Sequence, residues 1–145
     1  MKFRVLILLV FVFFSGCEVL EEFNYVVVNV TGTVVVANYD FDNSKWGDAI
    51  EGEVVEMSLI KAGGERVDGT GTTGGGVGQT TIHGTFNLYK EQPIDFKAKL
   101  VSNPMVIGSD RVEWEYVDQN RRYGGKNQPD ICSVDLYIPL KVPAN

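Results

Sequence analysis

The chain has 145 residues, of which 44% are hydrophobic, and a formal net charge of −6 at pH 7. This length fits one domain with a sizeable core. The acidic balance argues against a nucleic-acid partner, because neutralising phosphates requires a basic face. It also disfavours adsorption to anionic lipid headgroups.

The first sixteen residues have the pattern of a signal peptide. Lys2 and Arg4 precede an uninterrupted apolar run over residues 5–14, and two small residues follow it. A charged segment, an apolar segment and a small-residue cleavage site direct export, and the run is shorter than the roughly 20 residues that span a bilayer. We therefore expect residues 1–16 to be removed. Two cations leave with them, which takes the net charge from −6 to −8.

The end of this segment, Phe14-Ser15-Gly16-Cys17, resembles the lipobox of prokaryotic lipoproteins, with Phe14 where that family has Leu. The resemblance implies that the Cys17 thiol receives a diacylglyceryl group and that cleavage occurs before it. Two acyl chains suffice for stable anchoring, so we expect attachment to a membrane of the cell envelope. Simple secretion is the alternative. Cys132 is then the only other cysteine, and we expect no intramolecular disulfide.

After a short acidic tether over residues 17–24, the chain to residue 145 is rich in Val, Thr and Ile and broken by glycine turns. Residues 25–37 form a Val/Thr run interrupted by Gly32, which predicts two strands or one strand with a bulge at the glycine. In residues 111–118, alternation predicts a strand with Val112, Trp114 and Tyr116 inward. Period-2 alternation predicts further strands at residues 53–61, 65–73, 80–88, 94–101 and 131–142, and in the first and the last three of these it places the apolar residues inward.

About seven antiparallel strands, each with one apolar and one polar face, predict an all-β sandwich with one core. Residues 54–100 carry Gly63-Gly64, then Gly71-Thr72-Thr73-Gly74, and then Ala98-Lys99-Leu100. This stretch is similar to the immunoglobulin-like and transthyretin-like repeats of prokaryotic surface proteins. The resemblance implies a single sandwich of that kind and carries no information about chemistry.

Residues 69–74 match G-x-G-x-x-G. A dinucleotide site requires this loop between a strand and a helix, whereas here more glycine and then a strand follow. A hairpin loop is the preferred interpretation.

Residues 40–51 have oxygen-bearing side chains at positions 1, 3, 5, 9 and 12, which is the ligand spacing of a calcium loop. Lys45 stands where such a loop needs glycine, and the flanks look like strands instead of helices. The two alternatives are a calcium site and an acidic surface loop with Asx-turns. The candidate ligands are Asp40, Asp42, Ser44, Asp48 and Glu51.

Two other segments are candidates for binding. The polar loop over residues 118–130 concentrates Arg121, Arg122, Tyr123 and Lys126, which predicts either a contact for a protein or anionic glycan or a solvated hairpin tip. Trp46 lies close in sequence to Tyr39 and Phe41, and these side chains either stack on a sugar or cap the core.

His83 is the only histidine and faces outward in its predicted strand, whereas Cys132 has buried parity. A catalytic His–Cys pair is therefore not expected, and one histidine with one spare cysteine does not indicate a transition metal. The sequence predicts a non-catalytic envelope lipoprotein that binds through sandwich loops. The alternative is a calcium-dependent or carbohydrate-binding module using residues 39–51, and an envelope hydrolase is the third possibility.

Overall fold

The computed structural model describes residues 23–144, so the predictions for Cys17 and the signal peptide lie outside it. The described chain is mostly β and has eight strands where about seven were predicted. These elements are β1 (Tyr25–Asp40), β2 (Lys45–Ala49), β3 (Val54–Lys61), β4 (Arg66–Thr72), β5 (Gln79–Tyr89), β6 (Ile94–Leu100), β7 (Ile107–Val112), α1 (Trp114–Asn120) and β8 (Ile131–Pro143).

Two sheets pack face to face, which confirms the predicted all-β sandwich. In the first sheet β1 is central, with β8 on one side and both β5 and β2 on the other. The second sheet has the antiparallel order β4-β3-β6-β7. The pairing of β1 with β8 is parallel, unlike the antiparallel arrangement expected. A parallel pair needs a long crossover connection. Here the connection is the whole chain between β1 and β8, which contains the other six strands and α1.

The core is formed by the inward faces of the strands, as the alternation predicted for β3, β5, β6 and β8. Full burial of a large apolar side chain stabilises the fold by about 1.5–3 kcal/mol. The buried side chains of these four strands are Val55, Met57, Leu59, Ile82, Phe86, Leu88, Ile94, Phe96, Ala98, Leu100, Cys132, Val134, Leu136, Ile138 and Leu140.

Strand β1 is a single strand, and the bulge predicted at Gly32 is wrong. Its pairing runs without a break through Gly32, which lies opposite Ile82 on one side and Leu136 on the other. The irregularity in β1 falls instead between Ala37 and Tyr39, where the pairing with β2 shifts. The lack of a side chain at Gly32 allows close packing, because the ring of a core phenylalanine lies against its backbone.

The strand predicted over residues 111–118 is also wrong beyond Val112, because helix α1 follows. Val117 is buried and Trp114 packs against the core, whereas Tyr116 is half exposed. Residues three apart share one side of a helix, so Trp114 and Val117 define its inward face. Three alternating apolar residues are too few to distinguish the two-residue repeat of a strand from the 3.6-residue repeat of a helix.

The glycines of the G-x-G-x-x-G match lie on strand β4 and the hairpin after it, not before a helix. A Cβ at Gly69 would lie 3.2 Å from Ile82, and one at Gly71 would collide with the side chain of Thr80. Both contacts are to β5, so the absence of side chains lets β4 of the second sheet approach β5 of the first. These glycines close one edge of the sandwich.

The sandwich has two distinct ends because β1 and β8 run in parallel. Both strands start at the end that carries helix α1, which we call the N-terminal end. Both finish at the far end, beside the turn between β1 and β2 and the loop over residues 101–106. β1 has 16 residues, which corresponds to about 50 Å at 3.3 Å per residue. Within residues 23–144 no helix has the length and apolar character needed to cross a membrane.

Candidate binding surface

Three aromatic side chains meet at the far end of β1. The ring centroid of Tyr39 lies 4.8 Å from that of Phe41 and 4.9 Å from that of Trp46, both edge-to-face. The hairpin produces this cluster, because its register places Tyr39 opposite Trp46. Lys141 of β8 places its Nζ 4.3 Å from the Tyr39 centroid and 5.5 Å from that of Trp46, which is cation–π geometry.

The aromatic cluster is on the surface and outside the buried core. Phe41 is 59% exposed and borders a groove of about 440 Å³ that is also lined by Met105, Ile107 and Pro143. Met105 is 90% exposed and Ile107 is 69% exposed. We call Phe41, Trp46, Met105 and Ile107 the far-end patch. Contiguous apolar surface of this kind marks interaction sites more often than isolated exposed residues do.

The sequence reasoning missed Met105 and Ile107. The sequence does contain an apolar run, Met105-Val106-Ile107, that could have drawn attention to this surface. Only one of its three side chains, that of Val106, is buried. Which of the three would face solvent depends on how β7 pairs with β6, and that pairing is not local in sequence.

The turn between β1 and β2 is organised by Asp40. Its Oδ1 accepts hydrogen bonds from the backbone N–H groups of Asp42 and Asn43, at 3.0 and 3.2 Å. Its Oδ2 accepts one from Nδ2 of Asn43 at 2.7 Å. These bonds, those from Asn43 above all, lower the pKa of the Asp40 carboxyl. The turn has Asx geometry, which is the alternative to a calcium loop at this position.

The other predicted calcium ligands are distributed over different parts of the structure. Ser44 lies in the turn with a φ of 51°, and Asp48 is exposed on β2. Oε1 of Glu51 accepts a hydrogen bond from the backbone N–H of Gly78 at 3.0 Å. Over residues 23–144 no three histidine, cysteine or acidic side chains are grouped so as to hold a metal ion. Calcium binding stays a prediction.

The basic loop lies at the N-terminal end, away from Trp46. Arg122 pairs through its backbone with Ile131 at the start of β8. The guanidinium of Arg121 is paired within the protein, 3.2 Å from Asp118 and 3.7 Å from Asp130. Tyr123 is 79% exposed and Lys126 is also exposed. The residues predicted to bind a partner therefore belong to two surfaces at opposite ends of the sandwich.

His83 and Cys132 lie on opposite faces of the first sheet. Nδ1 of His83 is 3.1 Å from Oγ1 of Thr31 on the exposed face. Cys132 is 1% exposed and faces the core. Burial raises the pKa of its thiol, so the nucleophilic thiolate is disfavoured.

The described residues 23–144 form an all-β sandwich with an exposed aromatic and apolar patch at one end. Comparisons with protein-family models, with curated proteins and with solved structures find no match to this chain. A fold class alone does not identify a function, so functional inference rests on the surfaces themselves.

Proposed function

We propose that this chain is a non-catalytic lipoprotein of the cell envelope that binds a partner protein through the far-end patch. One observation carries the proposal. Met105, Ile107 and Phe41 are each more than half exposed and line one groove.

The patch has the chemistry of a protein contact. Burying one large apolar side chain fully against a partner is favourable by about 1.5–3 kcal/mol. Tryptophan and tyrosine are enriched among residues that dominate binding energies, and Trp46 lies in contact with Tyr39 beside the groove. Lys141 is held over both rings, which leaves a cation at the edge of the apolar surface.

The topology suits attachment through Cys17. Six residue steps separate Cys17 from Phe23, and an extended chain covers at most about 21 Å in six steps. β1 then carries the chain about 50 Å along the sandwich to Tyr39. A domain held by lipid at its N-terminal end can therefore present the far-end patch away from the membrane, towards the periplasm or the exterior.

The His83–Cys132 pair, one arrangement that nucleophilic catalysis could use, is separated by the first sheet. His83 has the hydroxyl of Thr31 as its neighbour, and the Cys132 thiol is buried on the other side of the sheet. Nucleophilic catalysis needs a nucleophile and a base within hydrogen-bonding reach of each other. Those two side chains cannot meet without unfolding the sheet.

A second candidate function is a carbohydrate-binding or calcium-dependent module using residues 39–51. The observation that favours it is the Tyr39–Trp46 pair, in which the exposed ring of Trp46 can stack on a sugar. Titration with millimolar calcium tests the ion: a rise in melting temperature that Asp42→Ala abolishes would support it. No shift in the unaltered chain would exclude a calcium-dependent module.

The proposed function is tested by site-specific photocrosslinking in intact envelopes. A photoreactive amino acid replaces Met105 in one chain and, as the matched control, Glu91 in the exposed β5–β6 loop of another. We expect one discrete protein adduct from position 105, lost when Ile107→Asp is added, and none from position 91. Equal adducts from both positions, or an adduct at position 105 that survives Ile107→Asp, would contradict binding through this patch.

A further inference from the structure

A second concave surface lies on the outer face of the second sheet. The strand register places Lys97 of β6 directly between Ser58 of β3 and Ser109 of β7. The two serines are short, and longer side chains surround them. The result is an open trough of about 650 Å³, which Lys99 and Ile107 also line.

The charges around this trough are paired, with one exception. Lys99 lies 3.1 Å from Glu56, Arg66 lies 2.7 Å from Asp68, and Arg111 lies 2.6 Å from Asp95. Within the described part of the chain Lys97 forms no ion pair. Its ammonium group therefore stands without an internal counterion, on a protein whose net charge is negative.

The two serines differ in what they can offer to a ligand. The hydroxyl of Ser58 donates to Oδ1 of Asp68 at 2.6 Å and accepts from Nη2 of Arg66 at 3.3 Å, so its orientation is fixed. Arg66 is likewise held by three contacts to Asp68. Ser109 makes no side-chain hydrogen bond to any residue between 23 and 144 (the hydrogen bonds of this face involve its neighbours). Its hydroxyl is available beside Lys97.

We propose that this trough binds an acidic sugar, a ligand class distinct from the partner of the far-end patch. Lys97 contacts the acid group, and the Ser109 hydroxyl bonds to a ring hydroxyl. Ile107 packs on an apolar ring face at the trough's edge. The trough volume falls within the range of about 300–1,000 Å³ that is usual for small-ligand sites.

The lining favours a sugar over a peptide. Peptide grooves rely on pockets for apolar side chains, whereas Ile107 is the one large apolar side chain among the trough residues. The other side chains are hydroxyl-bearing, charged or small. A guanidinium fork for bidentate carboxylate binding is absent from the trough, because Arg66 is committed to Asp68. Lys97 thus acts as a point charge, which accepts a carboxylate or a sulfate equally.

The test is calorimetric titration of the detergent-solubilised full chain with a galacturonic acid trimer and with its uncharged methyl-ester form. We expect the acidic trimer alone to bind, with an affinity that falls as salt rises. Lys97→Gln weakens binding about tenfold, as expected for a hydrogen bond to a charged group. Lys90→Gln, which removes an exposed lysine from the β5–β6 loop, leaves binding unchanged.

Several outcomes would overturn the proposal. These are no heat with the acidic trimer at millimolar concentration, equal binding of the ester, and equal effects of Lys97→Gln and Lys90→Gln. Tighter binding of polyglutamate, sensitive to Lys97→Gln, would assign the trough to acidic peptides instead. The two surfaces share Ile107, but the calorimetric variants leave that residue unchanged and the crosslinking at position 105 does not involve Lys97, so failure of one proposal is distinguishable from failure of the other.

Discussion

The ring of Phe96 on β6 lies directly against the backbone of Gly32 on β1. A Cβ at position 32 would stand 2.6 Å from Cζ of that ring, closer than two carbon atoms can approach without a shift. Phe96 is fully buried, and the two residues belong to different sheets. This contact therefore sets the separation of the sheets at the middle of β1.

We predict that Gly32→Ala destabilises the fold by about 1–3 kcal/mol, because the added methyl group overpacks a filled core. Thermal unfolding measures the loss. Gly74→Ala is the control, since a Cβ there meets only Glu51 at 3.8 Å, and we expect its effect to stay within about 0.5 kcal/mol. Adding Phe96→Leu to Gly32→Ala should recover part of the loss. Equal stability of the two glycine variants would contradict the packing account.

A single carboxylate links β7 and β8, which have no ladder between them. Oδ2 of Asp110 accepts the backbone N–H of Tyr137 at 2.9 Å, and its Oδ1 accepts that of Arg111 at 2.8 Å. We predict that Asp110→Ala lowers the free energy of unfolding by about 1–3 kcal/mol, because hydrogen bonds to charged acceptors are stronger than those between neutral groups. Hydrogen exchange at the Tyr137 amide should accelerate. Asp135→Ala, on the exposed face of β8, should change neither quantity.

The buried thiol should be inert in the folded protein. In a Cys17→Ser chain, whose only thiol is Cys132, we predict that a disulfide reagent labels the protein only as fast as it unfolds. Burial raises the folded-state pKa of this thiol, so the protonated form is favoured by folding. The contribution of this preference to the free energy of unfolding is fully present below the pKa of the unfolded state, and it is lost as pH rises through the pKa of the folded state. Rapid labelling of the native protein near pH 8 would contradict this.

The Asp40 turn has the opposite pH dependence. Its folded pKa is lowered by the hydrogen bonds from Asn43 and from the Asp42 backbone, so any contribution to stability is present above the unfolded pKa. It is lost as pH falls through the folded value. We predict that NMR titration finds the Asp40 pKa below its ordinary value and that Asn43→Ala raises it. An unchanged pKa in that variant would show that Asn43 does not organise the turn.

Much of the fold follows from alternation, because burial on one face of a sheet repeats every two residues. That is why the inward residues of β3, β5, β6 and β8 were predicted correctly. β2 was missed because all five of its residues are exposed, so it has no alternation to detect and depends on pairing with β1. Helix α1 was missed because Val112, Trp114 and Tyr116 alternate by coincidence at its start.

The candidate sites were less accessible to prediction, because they depend on contacts that are distant in sequence. Tyr39, Phe41 and Trp46 are close in sequence, so a shared aromatic cluster could be predicted. Lys141 joins them only through the parallel pairing of β1 and β8. The same holds for the trough, where Ser58 and Ser109 flank Lys97 through two separate strand pairings. No local pattern specifies which strands become neighbours.

The central claim is that this domain is a lipid-anchored binding module, and mass spectrometry of the protein extracted from membranes tests its first requirement most directly. We predict a mature chain that begins at Cys17 and carries the mass of a diacylglyceryl group on that residue. A Cys17→Ser chain, as the control, should lack the acyl mass and leave the membrane fraction. A soluble, unacylated chain that starts at another residue would contradict the account.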